Sequence, residues 1–248
     1  MTVFAVVAMA FFAVGQDFSV NVPAKQPLEE FAELAADPKA TGKCPHWAQL
    51  PLKETVKDRA GAGGFVQLNK DDKQVGVLVG GFVGENTFTD IVKFDTKSGK
   101  KIVVDTYDKG SADTWKSKGF AGAWMPKASG KTGDYVMYGG LKAGKPVAAG
   151  SILAFKENGH VEASALATTG DEKPPARVFA TLSSVAGANT AVLFGGNGAE
   201  DKTTEAMDDT WILTRDETGK AFSWAKVTYS AGQSTPGPRM GHSAAAKD

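Results

Sequence analysis

Three apolar runs of this chain end in the same way: "VLVGGF" at residues 77–82, "VMYGGL" at 136–141 and "VLFGGN" at 192–197. The glycine pairs within them, Gly80 and Gly81, Gly139 and Gly140, Gly195 and Gly196, lie 59 and 56 residues apart. A glycine pair at a strand end lets the chain leave the sheet with dihedrals closed to other residues. A near-constant period constrains the fold more than any single motif does, because it means similar supersecondary units burying their apolar faces on one another.

Two further markers keep step with the glycines. Upstream lies a basic residue followed by small and apolar ones: "RAGAGG" from Arg59, "KGFAGA" from Lys118, "RVFATL" from Arg177 and "RMGHSA" from Arg239, at spacings of 59, 59 and 62. Downstream comes an alternating strand, "TDIVKFD" from Thr89, "AGSILAFK" from Ala149 and "DDTWILTR" from Asp208. A fourth strand follows, "KKIVVDTY" from Lys100, "HVEASALA" from His160 and "FSWAKVTY" from Phe222. The intervening "TKSGK", "KENGH" and "RDETGK" place a glycine in a short connection, which is a hairpin signature. Each unit therefore reads as four short strands, over 59–117, 118–176 and 177–238, with another unit opening at 239.

Short strands in fours at a regular period suit β-propeller blades. The pattern resembles kelch repeats: an Arg-centred first strand, a second strand ending in Gly-Gly, a third opening near Asp, and a fourth carrying Trp before a Pro-rich lead to the next Arg. "FSWAKVTYSAGQSTPGPRMGHSAAA" is the best match, with Trp224, Pro238, Arg239, His242 and Ser243 where that pattern wants them, and the resemblance covers roughly residues 46–246. The chain departs from it in the second unit, where Lys118 stands for Arg, and in the first two units, whose fourth strands lack the Trp. The resemblance implies an all-β propeller of four-stranded antiparallel blades, about three and a half of them here, that binds a protein or carbohydrate ligand on one face.

Composition narrows the function. Lys plus Arg and Asp plus Glu both number 28, so no global field favours nucleic acid. Cys44 is the only cysteine, which excludes an internal disulfide and a CxxC zinc pair. His46, His160 and His242 stand at dissimilar places in the units, with no HExxH, so neither a metal nor any other cofactor is expected. "GAGGFV" from Gly61 lacks the third glycine of a dinucleotide fingerprint, and "SGKTGD" from Ser129 has Met125 where a P-loop needs its first glycine; both read as turns. Some kelch-type propellers are copper oxidases with a cross-linked Cys and Tyr, but Cys44 precedes the first unit and reads as an incidental thiol. The chain is read as a binding module and not an enzyme; an intracellular kelch scaffold and a propeller-type oxidase fragment are the alternatives.

In antiparallel units the fourth-to-first and second-to-third connections emerge on one face. They include "DKGSADTWKSK", "TTGDEKPPAR" and "SAGQSTPGPR", joined by the loops "FVGENTF", "LKAGKPVA" and "NGAEDKTTEAMDD". Binding residues concentrate on loops held by a rigid scaffold. Arg59, Arg177, Arg239, Lys118 and Trp115 are the candidate binding residues, the guanidinium groups being suited to a carboxylate or a sugar hydroxyl. A residue that recurs in a repeat as a rule builds the repeat, in which case each Arg pairs with a local carboxylate or carbonyl. Trp47, Trp211 and Trp224 are expected to fill gaps between blades.

The N-terminus carries twelve consecutive apolar residues from Val3 to Val14. A bilayer span needs about 20, so no membrane span is expected. The run matches the h-region of a signal peptide cut ahead of Gln16, giving residues 1–15 as signal and a secreted or lumenal chain; a buried first strand of a cytoplasmic protein is the alternative. Residues 16–45 form an extension with one short helix in "PLEEFAELAADP", and 46–248 hold the blades. Propellers close with about four to eight blades. The chain is therefore expected to be a fragment, or to be completed by a partner chain, and to self-associate through open blade edges.

Overall fold

The computed structural model describes residues 59–96, 115–127, 130–185, 189–198, 206–230 and 236–245, and the backbone of 101–103. The apolar N-terminal run, the helix candidate, Cys44, His46 and Trp47 lie outside the described residues.

Strands β1 (Gly63–Leu68), β2 (Gln74–Val79), β5 (Ile91–Asp95) and β6 (Lys101–Val103) form a four-stranded antiparallel sheet, and β3 (Phe82–Val83) with β4 (Asn86–Thr87) forms a small hairpin between β2 and β5. The second sheet repeats this plan with β7 (Ala121–Pro126), β8 (Gly133–Tyr138), β11 (Gly150–Phe155) and β12 (Val161–Ala165), its hairpin being β9 (Leu141–Lys142) with β10 (Lys145–Pro146). In the third, β14 (Thr181–Ser184), β15 (Thr190–Phe194), β16 (Thr210–Arg215) and β17 (Phe222–Lys226) pair antiparallel, and β13 (Thr168–Thr169) adds in parallel along the outer edge of β17. The described protein is all-β. No helix among the described residues is long and apolar enough to cross a membrane.

The glycine pairs do the same work in each unit. All six have φ between 59° and 101°, the left-handed region that side chains resist. The turn this permits lets the first N–H of each pair donate to the residue ahead of the third strand: Gly80 to Asp90 at 3.0 Å, Gly139 to Ala149 at 2.9 Å, Gly195 to Asp209 at 3.3 Å. The second glycine's carbonyl accepts from Phe88, Val147 and Met207 in turn. Two pairs also seal a unit to its successor. Gly140 N–H donates to the Arg177 carbonyl at 2.7 Å, and Gly196 N–H to the Arg239 carbonyl at 2.9 Å. A Cβ at Gly139 or Gly195 would stand 2.4 or 2.5 Å from those same carbonyls, so the junction admits only glycine. In "GAGGFV", by contrast, Gly63 and Gly64 open β1 and are not a turn; Gly63 and Gly122 clear room for the Tyr135 hydroxyl.

The first strands lie side by side, β14 against β7 and β7 against β1. Strand β8 is buried along its whole length, and its alternation serves two cores. Val136 and Tyr138 join Leu182, Leu193, Leu213, Trp211 and Trp224 between the second and third sheets; Tyr135 and Met137 join Val77, Val79, Ile91, Leu153 and Phe155 between the first and second. Phe65 stacks on Trp124 with centroids 4.4 Å apart, extending the second core. At about 1.5–3 kcal/mol for each large apolar side chain removed from water, these inter-sheet cores supply the main stabilisation. A buried ion pair crosses the first core: Arg215 donates to Asp134 Oδ2 at 2.9 Å, to the Asn189 side-chain oxygen at 2.9 Å, and to the Met125 and Pro126 carbonyls.

Candidate functional site

Two of the candidate arginines have the same environment. Arg177 sends Nη1 to Asp209 Oδ1 at 2.8 Å and Nη2 to Oδ2 at 2.7 Å, while Nη1 also reaches the Gly195 carbonyl at 2.9 Å. Arg59 repeats the arrangement on Asp90, at 2.6 and 2.9 Å, and on the Gly80 carbonyl at 2.9 Å. Each planar fork thus ties the end of the second strand to the start of the third, a bidentate geometry that lysine cannot supply. Arg177 is fully enclosed, at 0% side-chain exposure against 16% for Asp209; Asp90 is looser, at 47%. Burial pushes the Asp209 carboxyl up, and hydrogen bonds from Arg177 and Trp211 with the nearby positive charge outweigh it, leaving the group below its ordinary value. These two arginines are engaged in holding their own sheets.

The second unit departs from this pattern at a different residue from Lys118. The isolated bridges align Ala60 with Lys118 and Val178, through Phe82, Leu141 and Asn197. Gly61, Gly119, Phe179 and Gly241 then share a position and a φ of 57–63°. The counterpart of Arg59 and Arg177 is therefore Ser117, and that of Asp90 and Asp209 is Ala149. Both members of the ion pair are absent together. The Ser117 hydroxyl takes over part of the role, donating to the Gly139 carbonyl at 3.1 Å. A hollow of about 10 Å3 remains, lined by Trp115, Ser117, Gly139 and Ala149 among others. Trp115 is buried in the core beside it.

Arg239, the fourth candidate, is exposed; its Nε donates to the Gly237 carbonyl, and its guanidinium lies 6.0 Å from the Phe194 ring centroid. Nearby His242 meets the Thr181 hydroxyl at 2.9 Å and abuts Phe194 edge-on. Burial, then the Arg239 charge, holds its pKa below the ordinary histidine value.

Lys118 lies elsewhere, on the rim of an open cleft of about 380 Å3 between the β3–β4 and β9–β10 hairpins. Glu85 and Thr87 come from the first hairpin, Leu141, Lys142, Ala143 and Gly144 from the second, and Lys116 and Lys118 from the segment leading into β7. Lys118 Nζ donates to Glu85 Oε2 at 2.7 Å and to the Gly84 carbonyl at 3.1 Å, and stands 5.9 Å from the Phe82 ring centroid. Its side chain is 18% exposed and well fixed, whereas Glu85 is 99% exposed. Among the described residues that line the cleft, three are lysines and one, Glu85, carries a carboxylate. Glu85, Thr87, Lys116 and Lys142 carry no repeat marker; only their place on the loops after each glycine pair and ahead of each first strand pointed to them.

Among the described residues no three or more His, Cys, Asp or Glu converge to hold a metal ion. No family model matches the chain, and no curated protein sequence does.

Proposed function

We propose that the chain is a kelch-type propeller module that binds a protein or carbohydrate through its loop-rich face and performs no chemistry. The propeller reading is supported by three sheets in which four strands keep one order, by first strands lying side by side, and by the Arg, Gly-Gly and Asp of the first unit recurring in that order in the third. The observation that carries the function is the cleft between the two hairpins, which opens on the face where connections before the first strand and after the second emerge together. Its walls are short polar hairpins held by rigid sheets, the usual setting for a recognition surface. A secreted or lumenal location fits the N-terminal apolar run, and an intracellular scaffold would use the same face.

The test is a panel of acidic, basic and neutral peptides with neutral and sulfated oligosaccharides, read by thermal shift. Thr87→Ala with Ala143→Glu on the hairpins should abolish the shift given by any binder. Asn158→Ala with Thr218→Ala, on turns at the opposite ends of the strands, should leave it unchanged. The proposal fails if no probe shifts the transition, or if the opposite turns prove to be the sensitive ones.

A further inference from the structure

Resting on that binding reading, we infer that the cleft recognises an extended peptide segment with carboxylates at alternate positions. Lys116 and Lys118 both line the cleft, while Ser117 between them turns inward and is buried. In extended chain, residues two apart project to the same side, about 7 Å from one another. An extended peptide presents its own alternate side chains at that same spacing, so two carboxylates on one edge meet two ammonium groups without bending either chain. Lys142 lines the other wall, from β9.

Glu85 already shows what the cleft accepts. Its carboxylate sits on Lys118 at 2.7 Å, and the Lys118 hydrogen bond and charge hold its pKa below the ordinary value. Being almost wholly exposed, it gains little from the pair, because water and salt screen it. A ligand carboxylate can displace it at small cost, so Glu85 acts as a built-in competitor. Among the described residues the lining carries no aromatic ring on which a sugar could stack, and its cations are ammonium point charges rather than guanidinium forks, which suits single carboxylates better than a sulfated glycan.

The probes are two acetylated, amidated peptides of one composition, Glu-Ser-Glu-Ser-Glu and Ser-Glu-Glu-Glu-Ser, with a heparin oligosaccharide as comparator. Binding is titrated by calorimetry at about 50 and about 200 mM salt. The alternating peptide should bind more tightly than the clustered one, and more weakly at the higher salt. Lys116→Gln and Lys142→Gln should each weaken it roughly fivefold. Glu85→Gln should strengthen it several-fold, a gain that misfolding cannot imitate. Equal binding of the two peptides, no gain from Glu85→Gln, or heparin bound more tightly with the same lysine dependence would each overturn the inference. Should peptide binding survive the lysine changes but respond to the hairpin substitutions given above, the face is still a binding face and only this assignment falls.

Discussion

The guanidinium of Arg177 and the carboxylate of Asp209 meet in two parallel hydrogen bonds, of 2.8 and 2.7 Å, with the arginine wholly withdrawn from water. Removing one partner strands the other. Asp209→Ala should destabilise the fold by about 3–5 kcal/mol, because it leaves a buried cation unpaired. Asp90→Ala, at the half-exposed pair with Arg59, should cost clearly less. Urea midpoints of the two variants check the ranking, and equal losses would contradict it.

The same pair makes stability fall in acid. Asp209 has a folded pKa below its ordinary, unfolded value, so between those two values the unfolded chain binds a proton that the folded chain does not. The stabilisation is present in full above the unfolded value of about 4 and is lost as pH falls through the folded one. Plotted against pH below about 5, the unfolding free energy of the parent should therefore fall more steeply than that of Asp209→Asn. Parallel curves would show that the carboxylate is not held in its charged form.

The vacated position in the second unit should accept the pair it lacks. Ser117→Arg alone places a charge beside the Gly139 carbonyl with no carboxylate opposite and should destabilise. Adding Ala149→Asp should recover much of the loss, with a favourable coupling of about 0.5–3 kcal/mol in a double-mutant cycle. A coupling of zero would mean that the backbone equivalence of Ser117 and Arg177 does not extend to their side chains.

Phe179 holds a φ of 58° where the other units have glycine, and its ring covers Gly119, whose Cβ would lie 2.5 Å from it. Truncation should therefore invert the usual order. Phe179→Gly and Phe179→Ala both lose the ring, but the alanine keeps the strained backbone, so the glycine variant should be the more stable by about 1 kcal/mol. Thermal midpoints decide between them.

The strands, their grouping in fours and the two faces were legible because turn chemistry and alternation are local. The register of the second unit was less so. Lys118 carries the expected charge one residue late, and what sets the register is the left-handed residue two positions after the Arg, visible as glycine in "RAG", "SKG" and "RMG" but concealed by Phe179 in the third unit. For Arg59 and Arg177 the sequence left open a ligand or a local carboxylate, and the carboxylates opposite them are Asp90 and Asp209. The Arg215–Asp134 pair had no sequence signal, since 81 residues separate its members and only the packing of two sheets brings them together. The cleft was legible as loops and not as residues, because no repeat constrains what a loop carries.

Arg177 serves two units at once: its carbonyl accepts the N–H of Gly140 from the unit before, while its guanidinium closes the unit it begins. Repeats are customarily exchanged or circularly permuted at the residue where the sequence pattern restarts. Here a cut ahead of Arg177 would part Gly140 from the segment that carries its acceptor, and one ahead of Arg239 would do the same to Gly196. The exposed β11–β12 turn, where nothing lies within 4 Å of a Cβ built on Gly159, is the sounder point to open the chain.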